Sequence, residues 1–160
     1  MRDIQNEAAY LREALRLGAA CVGDVVSWSD SVIAESAVPD DAFIEISSMH
    51  KAHPLDVLHV LESLSEHVST IEVLPSVLGL AHEKLVVNPS YGRALAKALY
   101  GIYVKCDYNV PDELRDIGWF DDAFDLGAQG TYGSVENALE ELLQFTKRFA
   151  EDAKNRFKPI

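Results

Sequence analysis

The chain has 160 residues, 48% apolar and 25% charged, a length and balance that suit one globular domain over 1–160 with a core of its own. With 26 acidic against 14 basic side chains and a net charge of −12, its surface repels nucleic acid and anionic membrane and favours a basic partner. No apolar run approaches the ~20 residues that span a bilayer, and the opening Met1-Arg2-Asp3-Ile4-Gln5-Asn6-Glu7 is not the start of a signal peptide, so a cytoplasmic location is expected.

Ile4, Ala8, Leu11 and Leu15 recur at helical spacing between a capping Asp3 and a terminating Gly18, which predicts a first helix over about 3–17. Val22, Val25, Val26, Ser29, Val32 and Ile33 form the stripe of a second, with Trp28 on its flank. Pro39 before Asp40 and Asp41 predicts a third helix with proline at its first position, running to about Met49. Pro54 repeats the device for a fourth, whose inward face is Val57, Leu58, Leu61, Leu64 and Val68, and His53 can cap it.

Two signals conflict next. Ser69-Thr70-Ile71-Glu72 has capping-box spacing, yet Pro75 falls inside the helix it would start, so either a turn precedes a helix from Pro75 or the helix is kinked. Asn88-Pro89 opens the most regular stripe, Tyr91, Ala94, Leu95, Ala98, Leu99, Ile102 and Tyr103, which predicts a central helix. Pro111-Asp112-Glu113 starts a seventh. Ser134 caps a last helix with Val135, Ala138, Leu139, Leu142, Thr146 and Phe149 inward, fraying near Phe157-Lys158-Pro159.

No stretch shows the alternation of a half-buried strand. The expected fold is therefore all-α, a single compact domain of seven or eight helices. Pro39, Pro75 and Pro111 are spaced by 36 residues, which raises the possibility of helix pairs stacked in a right-handed superhelix. Cys21 and Cys106 are too few and too far apart for a zinc site or a disulfide framework and are expected as small core residues.

The residues that could carry chemistry gather between Asp107 and Ser134. Asp121-Asp122-Ala123-Phe124-Asp125 has the form DDxxD, which helical terpenoid synthases use to hold magnesium, but the chain is short for that class and lacks the facing acidic helix. Glu113-Leu114-Arg115-Asp116 is one half of the metal motif of helical nucleotide pyrophosphatases. The other half is missing, since Glu83 stands alone. His50 and His53 have a ligand-like separation without further ligands, and His82-Glu83 is not followed by a second histidine. Gly127, Gly130 and Gly133 lack the lysine and the preceding strand of a phosphate loop and instead suit tight turns. No catalytic residue, metal or cofactor follows from these motifs.

A charge pattern remains. Seven acids, Asp107, Asp112, Glu113, Asp116, Asp121, Asp122 and Asp125, stand against Arg115 alone over 107–125, with Tyr108, Trp119 and Phe120 interleaved. Aromatic anchors supply binding energy and charge supplies steering, so Trp119, Asp112, Glu113, Asp116, Asp121, Asp122 and Asp125 form the candidate surface for a basic protein partner. The competing reading makes the aromatics core and the acids a wet face.

Gly23-Asp24-Val25-Val26-Ser27-Trp28-Ser29-Asp30 leading to Val38-Pro39-Asp40-Asp41, and Trp119 to Leu126 leading to Gly130-Thr131-Tyr132-Gly133, resemble small helical bacterial proteins that are uncharacterised or classed as immunity proteins of polymorphic toxin systems. The resemblance implies a non-enzymatic inhibitor whose acidic surface caps a basic partner. Two alternatives stay open: a metal-dependent helical hydrolase or phosphate-ester enzyme using the carboxylate cluster, and a structural or oligomerisation subunit. The sequence leaves the oligomeric state open.

Overall fold

The computed structural model describes residues 2–152 and 159, and every regular element among them is helical. The fraying expected at Phe157 and Lys158 lies outside the described residues. Eight α-helices follow one another: α1 Ile4–Arg16, α2 Val22–Glu35, α3 Asp41–Ser47, α4 Pro54–Leu64, α5 Thr70–Val87, α6 Gly92–Lys105, α7 Phe120–Ala128 and α8 Val135–Glu151. Two 3₁₀ segments, Pro89–Tyr91 and Asp112–Gly118, precede α6 and α7. No described helix is long and apolar enough to cross a membrane. The chain forms two compact units, the first ending at Val77 and the second beginning at Leu78, so α5 contributes to both.

In the first unit α1 packs on α4, and α2 on α3. Asp3 caps α1 by accepting from the Asn6 amide at 3.2 Å, and Gly18 ends it at φ +68. The sequence pattern gave α1 one apolar stripe, but the helix is buried on all sides from Glu7 to Leu15, charged residues included. Trp28, expected on the flank of α2, is buried, and its indole N–H donates to the similarly enclosed Glu7 at 2.6 Å. A buried indole needs such an acceptor.

Three helix ends depart from expectation. Pro39 lies outside α3, since Asp40 is the cap and accepts from the Ala42 amide at 2.9 Å, and α3 stops at Ser47. At α4 the expected cap forms, with His53 Nδ1 accepting from the Leu55 amide at 3.2 Å. That helix ends at Leu64, and its buried face is Val57, Val60 and Leu61, with Leu64 and Val68 only half-buried. At α5 the capping box prevails over the proline: Ser69 N donates to Glu72 Oε1 at 3.1 Å and Glu72 N to Ser69 Oγ at 3.4 Å, and the helix runs through Pro75.

In the second unit α6 meets α7, α8 and both 3₁₀ segments, the central place its regular stripe predicted. Its α-helical part begins at Gly92, later than Pro89, and its Cβ-less backbone allows close packing: an added Cβ would lie 2.9 Å from Leu139 Cδ1 and 3.3 Å from Phe124. Pro111 precedes a 3₁₀ segment and not an α-helix. Ser134 caps α8 as expected, accepting from the Asn137 amide at 3.1 Å. Val135, expected inward, is exposed, while Phe145 joins Ala138, Leu142, Thr146 and Phe149 in the core. Neither cysteine takes the expected core position: Cys21 is exposed at the cap of α2 and Cys106 is half-buried after α6.

The 36-residue proline spacing marks no equivalent positions, since Pro39 precedes a cap, Pro75 lies inside a helix and Pro111 leads into a 3₁₀ segment.

His82 on α5 sits half-buried in the second unit, its Nδ1 2.8 Å from Thr146 Oγ1 of α8. Burial pushes its pKa down, and Lys147 adds to this, while Glu151 and Glu83 oppose it. A folded-state pKa below the unfolded value means that the unfolded chain binds more protons, so the contribution is present above the unfolded pKa and is lost as pH falls through the folded one. Thermal melts of the native protein and of His82→Gln between pH 8 and 5 should therefore diverge less as pH falls. A constant difference would show that the pKa of His82 is the same in the folded and the unfolded chain.

Candidate functional site

The carboxylates singled out by the sequence separate into three groups. Asp121 and Asp125, one turn apart on α7, are both engaged by Arg93 of α6, which pairs with Asp121 Oδ1 at 2.6 Å and also with Asp125. Their charge is partly neutralised within the molecule. Asp122 and Glu113 point to solvent, and Asp112 pairs with Arg115 one 3₁₀ turn away. Among the described residues no three His, Cys, Asp or Glu side chains gather as a metal set.

Asp116 and Trp119 come together elsewhere, at a cleft of about 930 Å³. Phe120 and Phe145, buried and with ring centroids 5.1 Å apart, form its apolar base. The long side is α8: Asn137, Glu140, Glu141, Gln144, Phe145 and Arg148 all line it. Their spacing of three and four residues is one face of a helix, and at about 1.5 Å per residue the face runs for about 16 Å. Tyr132 and Gly133 complete the lining.

One corner of this groove is aromatic. Trp119 and Tyr132 are 38% and 66% exposed, their centroids lie 6.4 Å apart and their planes meet at 74°. The Trp119 indole N–H donates to Glu141 Oε2 at 3.2 Å, which fixes the ring against α8. Exposed aromatic rings held in place by the fold are low-entropy contact surface. Asp116, Glu140 and Glu141 make this lining acidic. Further along α8, Arg148 lies over Phe145 and Phe149 at 5.1 and 5.8 Å and forms no ion pair with a described residue.

The glycines expected as turns build the wall. Gly130 and Gly133 have φ of +69 and +62, where a side chain is strained, and they bracket Thr131 and Tyr132. Gly127 serves differently. It lies within α7, and a Cβ there would stand 2.5 Å from the Ser134 carbonyl carbon, so only glycine lets the end of α7 approach the start of α8 this closely.

Sequence reasoning found Trp119 and Asp116 and missed Tyr132, Asn137, Glu140, Glu141, Gln144 and Arg148. These lie on the polar face of an amphipathic helix or in a turn, where nothing distinguishes them from solvated residues. The usable signal was an aromatic residue between two turn glycines, Gly130 and Gly133, immediately before a helix that carries Glu140 and Glu141.

Fold and groove together define an all-helical chain with an acid-lined aromatic groove along α8. No protein-family model, no curated protein and no solved structure matches it.

Proposed function

We propose that this chain is a non-enzymatic protein-binding module of the immunity type, which docks on a basic protein partner through the groove along α8. The observation that carries the reading is the exposed Trp119–Tyr132 corner with Asp116, Glu140 and Glu141 beside it, on a chain of net charge −12. Charge of this sign accelerates encounter with a basic surface, and an aromatic pair then supplies the short-range energy. The acids of α7 play a lesser part, because Arg93 already holds Asp121 and Asp125.

The test is calorimetric titration with the purified products of the two genes that flank this one. One of them should bind, more weakly as salt is raised. Trp119→Ala should weaken that binding about 30-fold, the size of an interface anchor, while the melting temperature stays near that of the native protein because the ring is partly exposed. Asp121→Ala with Asp125→Ala should weaken it less. Absence of heat with both gene products at low salt overturns the reading.

A further inference from the structure

Resting on that reading, we propose that the groove recognises one extended segment of the partner at two points, an arginine side chain at the Trp119–Tyr132 corner and a carboxylate at Arg148. The charges along α8 carry this. Glu141 has one oxygen on the Trp119 indole, and its other oxygen takes no hydrogen bond from a described residue. A guanidinium entering the corner meets that oxygen together with two aromatic faces, a planar cation on π-surface backed by carboxylate. Asp116 and Glu140 line the same groove and add to the attraction.

Seven residues further on, the sign reverses. The Arg148 guanidinium, spread over Phe145 and Phe149, has no carboxylate among the described residues although acids outnumber bases in this groove. An anionic group on the partner is its natural complement. Two helical turns separate Glu141 from Arg148, about 10 Å, and a segment extended as a polyproline II helix, with about 3 residues per turn and about 3.1 Å of rise per residue, comes close to that distance in one turn and returns the side chain to the same face. The segment is therefore one in which arginine and an acidic residue stand three apart, and a partner with two basic residues at that spacing is rejected.

The two tryptophans make this measurable. Trp28 donates its indole N–H to buried Glu7 in the first unit, and Trp119 donates its own to Glu141 in the groove, so the two indole resonances report separately and Trp28 is the internal reference. Capped peptides with Arg-Ala-Ala-Glu and Glu-Ala-Ala-Arg at their centres are titrated to millimolar concentration. One of the two orders should shift the Trp119 indole resonance and leave that of Trp28 in place. Alanine in place of either charged peptide residue should weaken binding about fivefold, as loss of an exposed ion pair does.

Arg148→Glu should reverse the preference, rejecting the Arg and Glu peptide and accepting one with two arginines at the same spacing. A Trp119 resonance unmoved by both peptides, or a preference that Arg148→Glu leaves unaltered, overturns the two-point inference. If a flanking gene product nevertheless binds with the Trp119→Ala loss stated above, the binding-module reading stands without it. If that product does not bind either, both fall.

Discussion

Arg12→Ala is expected to destabilise the first unit by about 3–5 kcal/mol, the range for removing one partner of a buried ion pair, which for a chain of this size lowers the melting temperature by roughly 10 °C. Glu13 is fully buried, and its Oε1 receives Arg12 Nε at 2.7 Å, Arg16 Nη1 at 2.6 Å and Thr70 Oγ1 at 2.9 Å. Its Oε2 is buried with no partner, so the carboxylate has nothing in reserve when a donor is withdrawn. Arg12 also donates to Ser65 Oγ at 2.7 Å and to the carbonyls of Ser65 and Val68 at 3.2 and 3.1 Å, closing the turn between α4 and α5. Truncation leaves Glu13 with Arg16 and Thr70 alone and takes the guanidinium donors from Ser65 and from the Val68 carbonyl at once. Arg12→Lys keeps the charge without the fork and should fall between. The double variant Arg12→Met with Glu13→Leu should recover most of the loss, because two charges leave together. Urea midpoints of the four proteins check the order, and an Arg12→Ala midpoint close to that of the native protein would show that the network contributes only order.

This network also marks where the sequence stops being informative. Helix existence was readable almost everywhere, since 3.6-residue stripes, Asp3, His53 and Ser134 caps and the Ser69 to Glu72 box are local signals with local causes. Pattern reading assumes that charge faces water. Glu7, Arg12 and Glu13 break that assumption: Arg2 and Trp28 bind Glu7, and residues over fifty positions away bind Arg12 and Glu13. The same long-range pairing explains the misplacement of Trp28, whose hydrogen-bond partner lies on another helix.

The groove was half legible for the same reason. Aromatic and acidic composition pointed to the stretch holding Trp119 and Asp116, but composition could not tell which carboxylates remain available. Arg93 lies 28 residues before Asp121 and takes it and Asp125 out of play. The acids that line the groove, Glu140 and Glu141, belong to a helix face that becomes a wall only when the turn carrying Tyr132 folds beside it. In the proposed reading the docking surface thus moves from α7 towards α8, with Asp116 and Trp119 shared by both descriptions.

Gly127→Ala is the substitution expected to disturb that groove most. Helix propensity alone favours alanine over glycine inside α7 by about 1 kcal/mol. Against this, the new Cβ would stand 2.5 Å from the Ser134 carbonyl carbon, 2.7 Å from its oxygen and 2.8 Å from the Val135 nitrogen, all backbone atoms at the cap of α8. Backbone cannot rotate away as a side-chain tip can, so the cap must move. The cost of forced overpacking, about 1–3 kcal/mol and more where backbone shifts, exceeds the propensity gain, and a net loss of about 2 kcal/mol is expected. Displacing Ser134 also displaces Tyr132 and Gly133 on one side and Asn137 on the other, so the shift of the Trp119 resonance on peptide addition should vanish as well. Gly130→Ala provides the contrast: its φ of +69 makes alanine strained by about 1–2 kcal/mol, but a Cβ there meets open space. That variant should melt lower and still bind. If Gly127→Ala melts no lower than the native protein and retains the peptide shift, the close approach of α7 to the α8 cap is not what shapes the groove.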